Sequence, residues 1–404
     1  MNAAGIDVSK GRSTVAVVRP FGEVVRLPFD VLHTGSELGK LANFLLSLDG
    51  ETRVVMEFTG RYYEPIAHAL CEAGLFVSVV NPILIKEYGN NTIRRAKTDA
   101  KDALKIANYA LANWLDLQRF VPEDELRRTL KVCNRQCNKY TKVKVMLKNN
   151  LISLLDQTFP GVNELFASPI RDDGHEKWVD FAEKFWHCDC ITPLTQRAFS
   201  ERYAKWCHKY GYHYSESKAE EIYFASAGHF DTLPMCDATK FLVTQAVVQL
   251  NTINEAIATL KNEMTVIASK LPEYNVVLAM YGVGKTLASQ LIAEIGDTRR
   301  FEKKSSLVCF AGVEPPENAS GAFVQKSRSM SKQGSPVLRK ALFQVMVCVL
   351  RVGDPNEPVF QFLDRKRSEG KPYRVYMVAG MNKFLRIYYA RVKECLDALE
   401  LVST

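Results

Sequence analysis

Two aspartates three residues apart, Asp99 and Asp102, head a run rich in Ala, Leu and Lys that reads as a helix from Asp99 to Trp114. Residues so spaced share one helix face, with Cβ atoms about 5–6 Å apart, and like charges there destabilise the helix unless something offsets them. A divalent cation would do so, because Mg²⁺ is commonly held by one or two carboxylates with water and phosphate oxygens in the remaining positions. The competing reading is a solvated helix start, where acidic residues favour the first turn. Asp7 and Glu57 bear on the choice: each sits at the end of a small apolar run, Ala3-Ala4-Gly5-Ile6-Asp7-Val8 and Arg53-Val54-Val55-Met56-Glu57-Phe58. A carboxylate at the end of an apolar strand is costly to bury unpaired. Two such residues together with the paired aspartates point to a metal site.

The elements that must position these acids are legible in the pattern. Residues 3–28 read as three short strands joined by the turns Ser9-Lys10-Gly11-Arg12 and Arg19-Pro20-Phe21-Gly22. Leu38, Leu41, Leu45 and Leu48 recur at helical spacing, as a helix crossing over to a parallel strand requires. Arg53–Phe58 is that strand, Glu64–Ala73 another helix, and Leu75–Val80 a further strand that Asn81-Pro82 stops. In this order Asp7 and Glu57 can lie on neighbouring strands with the Asp99 helix packed alongside.

Beyond this region, Pro122 to Leu155 reads as one long helix with Glu123, Asp124 and Glu125 in its first turn. Its cations are Arg127, Arg128, Lys131, Arg135, Lys139, Lys142, Lys144 and Lys148, with no acid among them. Solvated faces ordinarily alternate charge signs, so this one reads as a nucleic-acid surface, against the simpler reading of a soluble face. Phe159-Pro160-Gly161 breaks the helix, and residues 161–235 carry aromatics with scattered His and Cys. The close cysteine pairs of a structural zinc site are absent there, so a helical insertion with buried thiols is expected. Asp237 to Leu271 is a second long helix, able to pair with the first as an antiparallel coiled coil that the insertion tips. Gly282-Val283-Gly284-Lys285-Thr286 lacks the first glycine of a P-loop, Ala279 standing there, and the run better suits a helix-hairpin-helix.

The 404 residues exceed one ordinary core. The expected domains are 1–120, 121–271 with an insertion at about 161–235, and 272–404. The formal charge is +8, and its location matters more than its size. No apolar run reaches the roughly 18 residues of a membrane span, and no signal peptide precedes Asp7. The ten cysteines are accordingly expected to be reduced cytosolic thiols.

Gly5-Ile6-Asp7-Val8-Ser9-Lys10, Glu57-Phe58-Thr59-Gly60, Asn81-Pro82 and Lys97-Thr98-Asp99-Ala100-Lys101-Asp102 together resemble the N-terminal domain of a transposase family. These are the DEDD insertion-sequence transposases related to the Piv DNA invertase, the bridge-RNA-guided recombinases. The resemblance implies an α/β RNase H-like (RuvC-like) N-terminal domain, then a long helical coiled-coil region and a mostly α-helical C-terminal transposase domain. Phe310-Ala311-Gly312-Val313-Glu314-Pro315-Pro316 leading to Asn318-Ala319-Ser320-Gly321 resembles the family's C-terminal domain. There, a serine before glycine after a proline-bearing turn is the nucleophile, and Ser320 matches it. On its own Ser320 reads as a loop serine. Relatives usually carry a basic residue soon after the first proline, where this chain has Pro316-Glu317, and that departure bears on the phosphate-contacting shell.

The resemblance further implies Mg²⁺ or Mn²⁺ on Asp7, Glu57, Asp99 and Asp102. The implied partners are double-stranded DNA at the element ends and target and a structured guide RNA, in a homodimer or homotetramer without membrane. The implied location is the bacterial cytoplasm, in association with the nucleoid. Nucleic-acid contacts are expected from Arg127, Arg128, Lys131, Arg135, Lys139 and Lys142, and from Lys285, Arg328, Lys332, Arg339 and Lys340. Two other readings stay open: a metal-dependent, Holliday-junction-type endonuclease using the acids alone, and a non-catalytic nucleic-acid-binding protein.

Overall fold

The computed structural model describes the chain except residues 89–97, 229–231, 316–318, 321–322, 325–328 and 404, and except the side chains of 319, 320, 323, 324, 402 and 403. Residues 1–122 and 123–404 form two compact units.

In the first unit, strands β1 (Asn2–Ser9), β2 (Arg12–Val18) and β3 (Val24–Leu32) form an antiparallel meander. Strands β4 (Thr52–Glu57) and β5 (Phe76–Val80) add in parallel to β1, giving the order β3-β2-β1-β4-β5. Parallel pairing needs helical crossovers. Helices α1 (Gly35–Leu46) and α2 (Glu64–Glu72) supply them. A short helix α3 (Pro82–Glu87), capped by the Asn81 side chain, and then α4 (Asp99–Ala112) follow. The Asn81-Pro82 stop is thus also a helix start, because proline suits the first helical position.

Both faces of the sheet are covered, which explains why β1 reads as continuously apolar rather than alternating. Ala4, Ile6, Val15, Val17, Val54 and Met56 pack with Leu38, Leu41 and Leu45 of α1 and Ile66 and Leu70 of α2. Ala3, Val18 and Val55 pack with Ile106, Ala107 and Ala110 of α4 on the other face. This strand order, with helices on both faces, is the RNase H-like fold.

The second unit is built on α5 (Glu125–Leu155) and α9 (Asp237–Ser269), the former about 46 Å long at 1.5 Å per residue. Leu130 and Cys137, early in α5, share a core with Ile257, Met264 and Ala268 late in α9. Leu151 and Leu155 share another with Val243, Val247 and Leu250 early in α9, so the two helices run antiparallel. Helices α6 (Lys177–Lys184), α7 (Gln196–Tyr210) and α8 (Glu216–Ser226) join the second of these cores with Phe159, Phe181, Phe199 and Tyr203. All ten cysteines are thiols, not paired in disulfides, with Cys188 and Cys207 buried in this helical insertion.

The first core continues into α10 (Tyr274–Leu278), α11 (Lys285–Ile295) and α12 (Lys304–Ala311). It closes, after the two-residue strands β6 (Ala319–Ser320) and β7 (Phe323–Val324), with α13 (Pro336–Val352), α14 (Pro358–Ser368) and α15 (Tyr373–Ser403). Gly282, between α10 and α11, has φ +76°, and a Cβ there would stand 2.7 Å from Val349 Cγ2, so this turn needs glycine.

Candidate active site

Register decides where the first two acids go. Ile6 and Met56 are the last paired positions of β1 and β4, and Asp7 and Glu57 are the residues next after them. Neighbouring strands lie about 4.8 Å apart, so these two residues sit side by side. Alternation along the strands directs them to the face of Gly5 and Val55, the one that α4 covers. Both are half-buried.

Helix α4 lies directly on β1 at Gly5. A Cβ added there would fall 2.2 Å from Ala107 N and 2.3 Å from Ala103 O. Past the end of α4, the Trp114 carbonyl accepts a hydrogen bond from Arg53 Nη1, at the start of β4. The Arg53 guanidinium also stands 4.5 Å from the rings of both Phe76 and Trp114. With its C-terminal end fixed there and Ala103–Ala107 over Gly5, α4 runs antiparallel to β1, and its first turn reaches the end that carries Asp7 and Glu57. Thr98 caps this turn, its Oγ1 accepting from Lys101 N at 3.3 Å. Asp102 is half-buried and Asp99 exposed.

The backbone therefore brings all four acids to one end of β1, β4 and α4. Among the described residues, no three His, Cys, Asp or Glu side chains stand close enough together to hold a metal ion. As a donor set, four carboxylates supply the hard oxygen ligands that a divalent cation such as Mg²⁺ takes.

In the second unit, Ser320 lies on β6 and pairs with Phe323 of β7 in a small antiparallel hairpin. The stretches flanking this hairpin are tightly held. Lys332 N donates to Gly312 O (3.1 Å), Ser331 N to Glu314 O (2.9 Å) and Ser335 N to Phe310 O (3.3 Å). A Cβ on Gly334 would fall 2.1 Å from Phe310 O, so only glycine lets these segments approach so closely. Arg339 ties the two together, donating to Ala311 O (3.1 Å) and Gly334 O (2.8 Å). Beside them opens a cavity of about 760 Å³, with Val313 and Val375 among its apolar lining and Lys332, Arg374, Lys383 and Arg386 as its cations. Lys332 is exposed and Arg328 lies outside the described residues.

The basic helix α5 is more heavily paired than its sequence suggests. Arg127, expected at a nucleic-acid surface, is instead buried, with Nη1 on Asp124 Oδ2 (2.6 Å) and Nη2 on buried Glu273 Oε1 (2.5 Å). Burial would lower its pKa, but the two carboxylates raise it. This corrects the sequence reading, since a guanidinium enclosed by two acids cannot reach a phosphate. Lys131 meets Glu123 (3.0 Å), and both Lys144 (2.8 Å) and Lys148 (3.0 Å) meet buried Glu176. Arg135 approaches buried Glu294 at 3.6 Å while remaining half exposed. Arg128, Lys139 and Lys142 are exposed, as are Lys285 at the start of α11 and Lys340 on α13.

Sequence reasoning missed Glu273 and Glu294. Glu294 accepts from Asn134 Nδ2 (3.1 Å) and Ser335 Oγ (3.0 Å), linking α5 to the cap of α13. The available signal was a lone acid inside the apolar run Leu291-Ile292-Ala293-Glu294-Ile295.

Residues 4–160 match a DEDD transposase model of the IS110 type, and residues 274–360 match the transposase IS116/IS110/IS902 family. The pilin gene-inverting protein of Moraxella bovis is 23% identical over 342 residues, covering 84% of this chain and 80% of that protein. An IS110 insertion-element protein of 43.6 kDa from Streptomyces coelicolor is 20% identical, over 80% of this chain and 77% of its own length. Among solved structures, T. thermophilus RuvC in complex with a Holliday junction substrate aligns with 30% of this chain and 99% of its own, at 15% identity and a TM-score of 0.24. Sheet order and matched segments define the class: a transposase, an enzyme acting on DNA, with an RNase H-like N-terminal domain. The chain belongs to the IS110 family of DEDD transposases and is related to the pilin gene-inverting proteins.

Proposed function

We propose that this transposase is a site-specific recombinase that mobilises an insertion sequence through a covalent serine–DNA intermediate. Asp7, Glu57, Asp99 and Asp102 would hold a divalent cation, Mg²⁺ or Mn²⁺. Such an ion, when bound, neutralises charge developing on phosphoryl oxygens and lowers the pKa of an attacking hydroxyl. The single observation that carries this reading is the register that sets Asp7 beside Glu57 at the end of the sheet where α4 begins with Asp99 and Asp102.

Ser320 is the proposed nucleophile. Its Oγ forms a new ester bond to phosphorus as one strand P–O bond breaks; Oγ loses its proton, and the sugar oxygen released takes one up to leave as a free strand hydroxyl. The tight flanks held by Gly312, Gly334 and Arg339 support a fixed presentation of this hairpin. The nearby cations Lys332, Arg374, Lys383 and Arg386 suit a phosphate backbone.

Target and donor choice would be delegated to a structured guide RNA, with the protein reading shape and backbone. Lys139 and Lys142 on α5, with Arg128, Arg135, Lys285 and Lys340, would contact nucleic acid. Arg328 and Lys332, which follow the serine closely in sequence, would bind the phosphate backbone. Two DNA sites must be held together, so a homodimer or homotetramer follows from the reading.

Denaturing gels of labelled substrate test the proposal. Wild type should give a protein-linked DNA band, Ser320→Ala should lose both that band and strand exchange, and Asp102→Ala should lose exchange while retaining DNA binding. A protein-linked band surviving in Ser320→Ala would place the nucleophile elsewhere. Metal-dependent cleavage with no such band in any variant would favour the endonuclease instead.

A further inference from the structure

The segment between the two matched family regions, residues 161–273, contains the helical insertion, and neither family model covers it. On it opens a cavity of about 700 Å³. Helix α7 contributes Arg202, Lys205, Trp206, Lys209 and Tyr210, and Lys184 lies across from them at the end of α6. All four cations are exposed, and among the described residues none makes an ion pair. The sequence spacing of Arg202, Lys205 and Lys209 keeps them on one helix face. The acids nearby are Asp189, on the cavity wall, and Glu183 and Asp180, which after burial raise the Tyr210 pKa; Asp180 is buried and already engaged by His175, Tyr212 and Asn251. Positive charge therefore prevails at the mouth.

The aromatic side of the cavity is closely packed. Trp206 is buried, stacked on Tyr212 with ring centroids 5.2 Å apart and on Tyr203 at 5.8 Å. Tyr210 lies 5.5 Å from Trp206 and is only half-buried, leaving ring surface towards the cavity. Lys209 Nζ stands 5.4 Å from the Tyr210 ring. A solvated charged face would not need a concave wall of aromatic rings, and a purely apolar pocket would not be lined by four cations. Cations around a presented flat ring suit a phosphate followed by an unpaired base, the chemistry of single-strand binding.

We infer that the insertion carries a binding site for single-stranded nucleic acid, with phosphates on Lys184, Arg202, Lys205 and Lys209 and an unstacked base against Tyr210 and the edge of Trp206. The site is independent of the acids and of Ser320, and it stands or falls apart from the recombinase mechanism. In the context of such an enzyme it would take a strand or loop that pairing has left open, whether RNA or DNA.

The test is fluorescence anisotropy on the full-length chain with labelled oligouridine, oligothymidine and duplex DNA, each of about a dozen units, within the range of single-strand site sizes. Arg202→Glu/Lys205→Glu/Lys209→Glu should flatten the log affinity–log salt slope for the single strands by about 2, at about 0.7 per phosphate contact. Tyr210→Leu should weaken single-strand binding by about fivefold or more, as loss of one stacked base does, and leave duplex binding unchanged. Ultraviolet cross-linking of oligouridine should label the peptide containing Tyr210. Preference between oligouridine and oligothymidine identifies which nucleic acid the site takes, and equal affinity assigns it to either. Unchanged single-strand affinity and slope in the triple variant, with unaltered thermal stability, would overturn the site. So would equal losses for duplex and single strand in both variants, which would reduce it to a non-selective charged patch.

Discussion

At the scale of single residues, the buried pair of Arg127 and Glu273 is the clearest case of a charge put to structural use. Both are almost fully enclosed, and Arg127 Nε and Glu273 Oε2 have no hydrogen-bond partner among the described residues. Removing one partner of a buried pair typically costs about 3–5 kcal/mol, because the other charge is left in low dielectric. Arg127→Met should therefore lower the melting temperature sharply, and Arg127→Met/Glu273→Met should recover much of the loss. A double variant no more stable than the single one would mean that shape, and not charge, dominates at this site. His175 offers a pH test in the insertion. Burial alone would lower its pKa, but hydrogen bonding to Asp180 (2.9 Å) and Asp180's charge, followed by Glu255 and Asp173, raise it above its ordinary value of 6.5. A raised folded-state pKa means that protonated His175 contributes stability fully below about 6.5 and that the contribution is lost as pH rises through the raised value. The melting temperature should fall over that window in wild type, and His175→Gln should flatten the fall.

At the scale of elements, everything proposed for the acids depends on α4 lying on β1. Gly5 permits this, since a methyl group there would meet backbone atoms of Ala103 and Ala107 rather than a movable side chain. Overpacking usually costs about 1–3 kcal/mol, and a helix backbone has little room to relax. Gly5→Ala should thus displace the first turn of α4 and abolish strand exchange while leaving the second unit folded. Full exchange by Gly5→Ala would show that the seat of α4 is not needed. Helix α5 makes a separate prediction. Lys139→Glu/Lys142→Glu should make the log–log salt slope on B-DNA less steep by about 1.8, at about 0.9 per phosphate contact. An unchanged slope would make this face merely solvated. Adding Arg127→Met should not flatten it further, since Arg127 is inside.

At the scale of the whole molecule, the two compact units have separate cores, with the sheet and its three covering helices in one and the α5/α9 pair in the other. Calorimetry should therefore resolve more than one transition, with Gly5→Ala lowering one and Arg127→Met another. A single transition moved equally by both substitutions would show that the units unfold together. Among the described residues no helix is long and apolar enough to cross a membrane. The formal charge of +8 gives little indication of its own use: Glu123, Glu176, Glu273 and Glu294 engage cations of α5, whereas the cations of α7 at the insertion cavity make no ion pair among the described residues.

Local pattern determined a good deal by itself. The apolar runs ending in Asp7 and Glu57, the helical spacing of Leu38, Leu41 and Leu45, and the paired Asp99 and Asp102 mark four elements, three of which carry the acids, because alternation and helical period are properties of neighbours in sequence. Long unbroken amphipathic runs likewise marked α5 and α9. Only the tertiary structure decided which cations remain available. Arg127 meets Glu273 across 146 residues, and Asn134 meets Glu294 across 160. No local rule anticipates such partners, since they depend on which helices pack and at what register. The insertion was opaque for the same reason. Trp206, Tyr210 and Lys184 acquire a common purpose only when α6 and α7 fold over one core, and the energy of that arrangement lies in contacts between residues far apart in the chain.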